Sequence, residues 1–256
     1  MEFFDIEISI GKIRVYHHQN YPNRPTLVFL HDSLGCIELW RDFPKKLGEL
    51  AQCNILIYDR QGYGKSSPFS NPVRDNSYME GEADILPEIL AKCSIDQAIL
   101  FGHSDGGSIA LIAAAKYPQG VLAIVTEGAH IFVEEVTVKG IKAAITAYHT
   151  TDLKTKLTKY HGDKTEAMFR AWANTWTTEE FSAWNIEHFL PSITCSSLIV
   201  QGENDEYGTL KQVDGIVNQV SGAVHKFILP NVSHSPHKEA PEKILRRSAE
   251  FILSLI

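Results

Sequence analysis

Short runs of apolar residues recur along the chain, and segments with helical periodicity separate most of them. Near the N-terminus, apolar and polar residues alternate over 3–10 and 12–17 around Gly11, which is typical of a β-hairpin. The later runs are continuously apolar and therefore indicate strands covered on both faces. These predicted strands are residues 26–30, 54–58, 97–101, 121–126, 196–201 and 226–229.

Between these runs, apolar residues recur every three or four positions, as they do on one face of a helix. Alternation of strand and helix predicts an α/β fold, with a mostly parallel central sheet and helices on both faces. The N-terminal hairpin would add antiparallel strands at one edge. The predicted helices are residues 39–50, 78–91, 107–116, 210–220 and 241–255.

One long segment, residues 134–190, breaks the alternation because it has helical periodicity and no convincing strand. We interpret it as a helical cap inserted into a core formed by residues 1–133 and 191–256. Trp172 and Trp176 lie in this segment. They are candidates for lining a substrate pocket, although aromatic side chains more often provide packing area.

Charge, hydropathy and cysteine content argue against several classes of protein and of binding partner. The net charge of −7, with acidic and basic residues interleaved, argues against a nucleic-acid or anionic-membrane surface. No apolar run is long enough to span a bilayer and the first residues do not resemble a signal peptide, so we expect a cytoplasmic protein. The four cysteines are widely spaced, which favours free thiols over a zinc site or a disulfide framework.

The sequence Gly102-His103-Ser104-Asp105-Gly106-Gly107 carries the strongest chemical signal. It matches G-x-S-x-G between a strand and a helix, the pattern of a nucleophile elbow. In such a tight turn larger residues two positions from the serine would clash, and Gly102 and Gly106 avoid this. We therefore predict that Ser104 is a nucleophile at the N-terminus of a helix, where the dipole favours negative charge.

A serine hydroxyl needs a base, and the base needs an orienting acid, in the chain order serine, acid, histidine. Asp205 follows the predicted strand 196–201 and is the candidate acid, with Glu203 and Glu206 as competitors. Because parallel strands end at one edge of the sheet, we expect Asp205 to reach the same edge as the nucleophile.

His234 lies in the loop after the predicted strand 226–229 and is the candidate base. His237 is close by in sequence and is interpreted as structural. Hydrolysis also requires donors for the oxyanion, and we predict the backbone N–H groups of Asp105 and of Ser33 for this role. Ser33 belongs to the loop 31–35, which follows the predicted strand 26–30.

Five sequence blocks in this order resemble the α/β-hydrolase superfamily, and the resemblance covers nearly the whole chain outside the cap. It implies the α/β-hydrolase fold and a serine hydrolase. One departure is Asp32, because many members have glycine after the histidine of the oxyanion loop; this aspartate could place a carboxylate near the mouth of the site. The blocks are residues 31–35, 58–66, 102–107, 202–205 and 233–237.

The elbow and the following helix, residues 104–118, are similar to those of valacyclovir hydrolase-like enzymes. In that family the aspartate after the nucleophile is thought to hold a substrate ammonium group. Carried over, the Asp105 carboxylate would bind a cation; alternatively it caps the helix or meets solvent. Glu127 could add negative charge to the same pocket or lie on the surface.

We therefore expect a serine hydrolase that acts on a small carboxylic ester, or a related acyl derivative such as an α-amino-acid ester, through an acyl-enzyme. The alternatives are a C–C bond or lactone hydrolase with the same residues, or a non-catalytic ligand-binding member of the fold. No cofactor or metal motif is present in the sequence. We expect a small-molecule substrate and no nucleic-acid or membrane partner, and leave monomer and homodimer open.

Overall fold

The computed structural model describes residues 2–256, and within that range one sheet of eight strands forms the centre of the fold. Most strands begin and end within two residues of their predicted bounds. In chain order they are β1 (Glu2–Ile8), β2 (Gly11–His18), β3 (Thr26–Leu30), β4 (Asn54–Tyr58), β5 (Ala98–His103), β6 (Val121–Glu127), β7 (Ser196–Gly202) and β8 (Val224–Leu229).

The strands lie side by side in the order β1-β2-β4-β3-β5-β6-β7-β8. β2 is antiparallel to both β1 and β4, whereas all other neighbouring pairs in the sheet are parallel. The predicted fold class, a mostly parallel sheet with an N-terminal antiparallel hairpin, is confirmed. The hairpin turn lies at Ser9 and Ile10, because Gly11 already pairs with Ile8 as the first residue of β2.

Burial of a strand depends on its place in this order. β3, β4 and β5 lie inside the sheet and are buried along their whole length, as predicted for continuous apolar runs. β8 is the last strand, and its residues His225 and Lys226 are exposed. The expectation that this run is covered on both faces was wrong, because an edge strand has fewer elements packed around it.

The segments with helical periodicity form helices, with one clear difference. Residues 39–50 are not one helix: a 3₁₀ turn (Ile37–Trp40) is separated from the next helix by Arg41, at φ +53°. Pro44 lacks an N–H and is tolerated only in the first helical turn, so the helix begins just before it. The helices are α1 (Phe43–Ala51), α2 (Tyr78–Lys92), α3 (Asp105–Lys116), α4 (Glu135–Thr150), α5 (Leu153–His161), α6 (Thr165–Trp176), α7 (Leu210–Gln219), α8 (Pro236–Glu239) and α9 (Pro241–Leu253).

Helices cover both faces of the sheet, and alternate residues of β3 show the division. Val28 and Leu30 pack in a core that includes buried residues of α2 and α3. Leu27 and Phe29 pack in a second core that includes buried residues of α1 and α9. This alternation is expected because successive side chains of a strand point to opposite faces.

The chain between β6 and β7 carries α4, α5 and α6, joined and followed by short 3₁₀ turns. Buried side chains of this segment, including Trp172 and Trp176, belong to the core that also contains those of α2 and α3. The division of the chain into a core and a cap at residues 134–190 stays a prediction. Among the described residues, none of the helices combines the length and the apolar character that crossing a bilayer requires.

Helix α3 approaches the sheet very closely at its first turn. A Cβ atom on Gly106 would collide with the backbone carbonyl of Leu30 in β3, and one on Gly102 would collide with the carbonyl of Gly106. The helix therefore begins directly behind the carboxyl ends of β3 and β5. Gly81 in α2 is different, since a Cβ there would meet nothing within 4 Å.

We expect Gly106→Ala to destabilise the fold by about 3 kcal/mol, because the new methyl group meets backbone atoms of β3 that cannot move aside. The matched variant Gly81→Ala should instead stabilise it by roughly 0.5–1 kcal/mol, since alanine is the better helix former at an open position. Urea unfolding of both variants measures this. Equal stabilities would contradict the close packing of α3.

Candidate active site

Ser104 occupies the turn between β5 and α3, with φ +55° and ψ −119°. A positive φ is uncommon for residues other than glycine and stores strain. The Ser104 N–H donates a hydrogen bond to the backbone oxygen of Glu127 at the end of β6 (2.8 Å), which helps to hold the turn. Within residues 2–256 the Ser104 hydroxyl has no hydrogen-bond partner, so it is free to meet a ligand.

His234 and Asp205 are in direct contact. The Nδ1 atom of His234 lies 2.9 Å from each carboxylate oxygen of Asp205. Asp205 is itself held, because its Oδ1 accepts hydrogen bonds from the backbone N–H groups of Tyr207 (2.8 Å) and Gly208 (3.2 Å). With Nδ1–H donating to the carboxylate, Nε2 of His234 carries a lone pair that can accept a proton.

The two groups shift each other's pKa. Burial alone would lower the pKa of His234, but the charge and hydrogen bond of Asp205 raise it above its ordinary value of 6.5. Burial opposes ionisation of Asp205, yet the neighbouring imidazole keeps its pKa below the usual range. The pair therefore favours a carboxylate beside a basic imidazole, which is the state that a general base requires.

Ser104 and His234 line one cavity of about 220 Å³ at the carboxyl edge of the sheet. Among the described residues no hydrogen bond joins them, as is common for sites without substrate. The cavity also contains each of the other residues predicted to contact a substrate or an oxyanion. These are Ser33, Asp105, Trp172 and Trp176.

The backbone around Ser33 is oriented by its neighbours. The carbonyl oxygen of Asp32 accepts hydrogen bonds from Nδ1–H of His31 (2.7 Å), from Nη2 of Arg60 (3.0 Å) and from the N–H of Gly35 (3.2 Å). Because a trans peptide is planar, this carbonyl and the N–H of Ser33 point in opposite directions. The Ser33 N–H therefore points away from the Arg60 guanidinium and, within residues 2–256, has no acceptor.

The carboxylate of Asp105 is buried and paired. It accepts a hydrogen bond from the Tyr78 hydroxyl (3.2 Å) and lies 3.6 Å from Nη2 of Arg60, while the Tyr78 hydroxyl accepts one from Nε1 of Trp176 (2.9 Å). Only 1% of Asp105 is exposed. The alternatives that it meets solvent or caps α3 were wrong, because Arg60 and Tyr78 satisfy it inside the protein.

Three carboxylate side chains line the cavity, namely Asp32, Asp105 and Glu206. Neither lysine nor arginine occurs among the lining residues of the described chain. Glu206 is exposed, and its Oε2 accepts a hydrogen bond from the backbone N–H of His234 (3.2 Å). The cavity is therefore acidic apart from its histidines.

Glu127 does not line this cavity, and neither of its two predicted positions was right. It is fully buried, and one carboxylate oxygen contacts Nδ1 of His237 at 2.7 Å. Burial raises the pKa of Glu127 to about 7 and lowers that of His237 to about 3. His103 packs between this pair and His234, whose backbone oxygen accepts a hydrogen bond from Nε2 of His103 (2.8 Å).

Sequence reasoning missed three residues that support the site. Arg60 belongs to the sequence block 58–66, but nothing in the sequence indicates that its guanidinium is buried. His161 accepts a hydrogen bond from the N–H of Gly64 (3.0 Å) and donates one to the oxygen of Leu34 (3.1 Å), so it ties α5 to the loop after β3. Gly128 has φ +56°, and a Cβ there would lie 2.9 Å from Cε1 of His234.

Neither a metal-ion site nor a reactive thiol is found among the described residues. Within residues 2–256 no three histidine, cysteine, aspartate or glutamate side chains are grouped so as to hold a metal ion. The four cysteines are free thiols, of which Cys36, Cys53 and Cys93 are buried. Burial raises the pKa of Cys53, for example, to about 11, which disfavours a reactive thiolate.

The family model described as the alpha/beta hydrolase fold matches residues 25–142. Over 255 residues the chain is 26% identical to the serine hydrolase BPHL of Mus musculus, covering 96% of this chain and 85% of that protein. The crystal structure of VinJ superposes with a TM-score of 0.74 at 20% identity, covering 100% of this chain and 99% of that one. The chain has the α/β-hydrolase fold, and these similarities indicate a hydrolase.

The chain also resembles a hydrolase whose name specifies a substrate. It is 25% identical over 232 residues to a 2-hydroxy-6-oxononadienedioate/2-hydroxy-6-oxononatrienedioate hydrolase of Klebsiella pneumoniae, with 80% of this chain and 79% of that protein covered. These relatives share hydrolysis but not a substrate. The prediction of a hydrolase is therefore confirmed at the level of the reaction class.

We expect Asp205→Asn to lower kcat by about 10⁴-fold, because the amide no longer enforces the Nδ1–H tautomer of His234. The base must be neutral, so kcat/KM falls as the pH drops through the His234 pKa. Loss of the carboxylate charge lowers that pKa, and the acid limb of the pH profile should move to lower pH. Profiles of kcat/KM from pH 5 to 9 measure both effects.

Glu203→Gln is the matched control, since Glu203 is an exposed acid two residues away. It should leave the rate and the acid limb in place. A large loss of kcat in Glu203→Gln, together with an unchanged kcat in Asp205→Asn, would show that Glu203 and not Asp205 is the orienting acid.

Proposed function

We propose that this enzyme hydrolyses a small carboxylic ester through an acyl-enzyme formed on Ser104. The observation that carries the proposal is that a strained, unpartnered serine and a histidine bonded to a carboxylate line the same cavity. Ser104 would be the nucleophile, His234 the base and Asp205 its orienting acid. Because no hydrogen bond joins Ser104 and His234 among the described residues, the proposal requires that Nε2 of His234 reaches the Ser104 hydroxyl during the reaction.

In the first half-reaction Nε2 of His234 takes the Ser104 proton as the oxygen attacks the ester carbonyl. The oxyanion would be held by the N–H groups of Ser33 and Asp105, each of which contributes on the order of 3 kcal/mol in comparable sites. The imidazolium then protonates the departing alcohol. In the second half-reaction His234 activates water, which releases the acid and restores the serine.

We further propose that residues 134–190 act as a cap over this chemistry. Trp172 and Trp176 of α6 line the cavity together with Ile141 of α4, which supports an apolar roof above the nucleophile. A volume of about 220 Å³ suits a small acyl group. Contact of Trp172 and Trp176 with the substrate is part of this proposal.

The charges of the cavity favour a substrate with a cationic nitrogen, such as an α-amino-acid ester. Asp32 and Glu206 line it without a lysine or arginine among the described lining residues, and the third acid, Asp105, is already paired with Arg60. A positive group is therefore attracted and a carboxylate is repelled. The Klebsiella relative is named for a dioate, a doubly anionic compound. The same charge pattern therefore disfavours that substrate class for this chain.

A fluorophosphonate probe tests the nucleophile. It should label the wild-type protein at Ser104 and leave Ser104→Ala unlabelled, because only an activated serine attacks the phosphorus. Intact-protein mass spectrometry and the rate with a chromogenic ester measure this. Ser33→Ala is the control and should still be labelled, since a backbone donor survives side-chain replacement. An unlabelled wild type whose esterase activity persists in Ser104→Ala would refute the proposal.

The charge argument predicts that an α-amino ester is hydrolysed with a kcat/KM roughly tenfold or more above that of its N-acetylated form. Acetylation removes the positive charge while keeping the ester bond and the side chain. Rates should be compared near pH 7, where the amine is largely protonated. Equal values for the two esters would exclude a cationic substrate without touching the assignment of Ser104.

A further inference from the structure

The proposed function leaves open which carboxylate receives the substrate's positive charge. We propose that Asp32 is the counter-ion of the substrate ammonium group and that Asp105, although next to the nucleophile, is not. The inference rests on the proposed function and on how the three cavity-lining carboxylates are already engaged.

Asp105 is electrostatically satisfied before any substrate arrives. Its Oδ2 accepts the Tyr78 hydroxyl hydrogen bond and lies 3.6 Å from Nη2 of Arg60, which is itself 1% exposed. A buried carboxylate and a buried guanidinium at this distance offset each other's charge. Glu82 lies 3.8 Å from Nη1 of the same guanidinium, and Arg74 attracts both Glu82 and Asp105. An ammonium bound here would compete with a positive charge that is already in place.

Asp32 is in the opposite situation. It lines the cavity, and its carboxylate has no hydrogen bond or salt bridge with any group among residues 2–256. One of its oxygens lies against Gly35, where a Cβ would collide with it. Its charge helps to raise the pKa of both His234 and Tyr207, which line the same cavity.

Other charged groups near these two carboxylates do not replace a substrate cation. Lys238 favours ionisation of Asp32, and both residues line a second, small cavity of about 10 Å³ together with His103 and His237; Lys238 is nevertheless exposed and forms no salt bridge with Asp32 among the described residues. Burial lowers the pKa of each of those histidines to about 3, so both are neutral near pH 7. Glu206 is exposed, which weakens its field through solvent.

An unpaired carboxylate at this position is costly for the reaction itself. Asp32 directly precedes Ser33, whose N–H is proposed to stabilise the oxyanion, and two negative charges repel each other strongly in a small cavity. A substrate ammonium placed between them would offset the repulsion as the oxyanion forms. The carboxylate thus favours cationic esters in the transition state and penalises neutral ones, which is how specificity arises.

The test compares one ratio across four proteins. For each protein, kcat/KM is measured for an α-amino ester and for the same ester without the amino group, near pH 7. Asp32→Asn should lower the ratio of the two values roughly 10- to 100-fold, the range expected for loss of one charge-assisted contact. Asp105→Asn should change both rates together and leave the ratio within about twofold of wild type. Lys238→Met, outside the cavity, should also preserve it.

The opposite pattern, in which Asp105→Asn removes the preference and Asp32→Asn keeps it, would overturn the inference. A wild-type ratio near one would instead refute the cationic substrate of the proposed function, so the two failures are distinguishable. If Asp32→Asn does not fold, Asp32→Gly and inhibition by propylammonium provide the same decision. Propylammonium should inhibit hydrolysis of the neutral ester by wild type and by Asp105→Asn but only weakly by Asp32→Gly, and inhibition equally strong in Asp32→Gly and in Asp105→Asn would contradict the assignment.

Discussion

The buried guanidinium of Arg60 connects the loop after β3 to the first turn of α3. Nη2 donates to the carbonyl of Asp32 and lies near the carboxylate of Asp105, while the ring of Tyr63 stacks beneath the guanidinium at 4.7 Å. Ser33 and Asp105, the two proposed oxyanion donors, belong to these two segments. A buried charge that bridges two segments in this way is difficult to displace, since moving either partner leaves it less compensated.

This constraint explains why the two segments keep a fixed separation although they are distant in sequence. The glycines of the elbow allow α3 to approach β3, and the buried Arg60 bridges the loop after β3 to the first turn of α3. Packing of α3 against β3 sets the distance between the two segments. The hydrogen bond from the Arg60 guanidinium orients the Asp32–Ser33 peptide. The strained turn at Ser104 is thus supported on one side by backbone contact and on the other by an ion pair.

Much of the fold could be predicted from the sequence because the signals are local. Continuous apolar runs produced β3 and β4 at their predicted bounds, and G-x-S-x-G between a strand and a helix located the turn at Ser104. The break at Arg41 was missed because periodicity alone does not register a left-handed residue. The order of the strands in the sheet depends on long-range pairing, for which the sequence has no equally local signal.

Within the candidate site, chain order was sufficient to select Ser104, Asp205 and His234 as residues that come near one another. The partners of buried charges were not predictable in this way. Glu127 was left between pocket and surface, whereas it is paired with His237 in the interior. Glu127 and His237 are 110 residues apart in sequence, and no spacing rule connects them.

The bridge formed by His161 has a consequence for behaviour in acid. Its Nδ1 must accept the Gly64 N–H while Nε2–H donates to Leu34, so only the neutral ring fits, and burial lowers its pKa to about 4. The unfolded chain takes up this proton near pH 6.5, so the contribution of His161 to stability is complete above that value and declines as the pH falls toward 4. Mild acidification should therefore weaken the attachment of α5 to the loop after β3, which contributes Ser33 and Leu34 to the cavity wall.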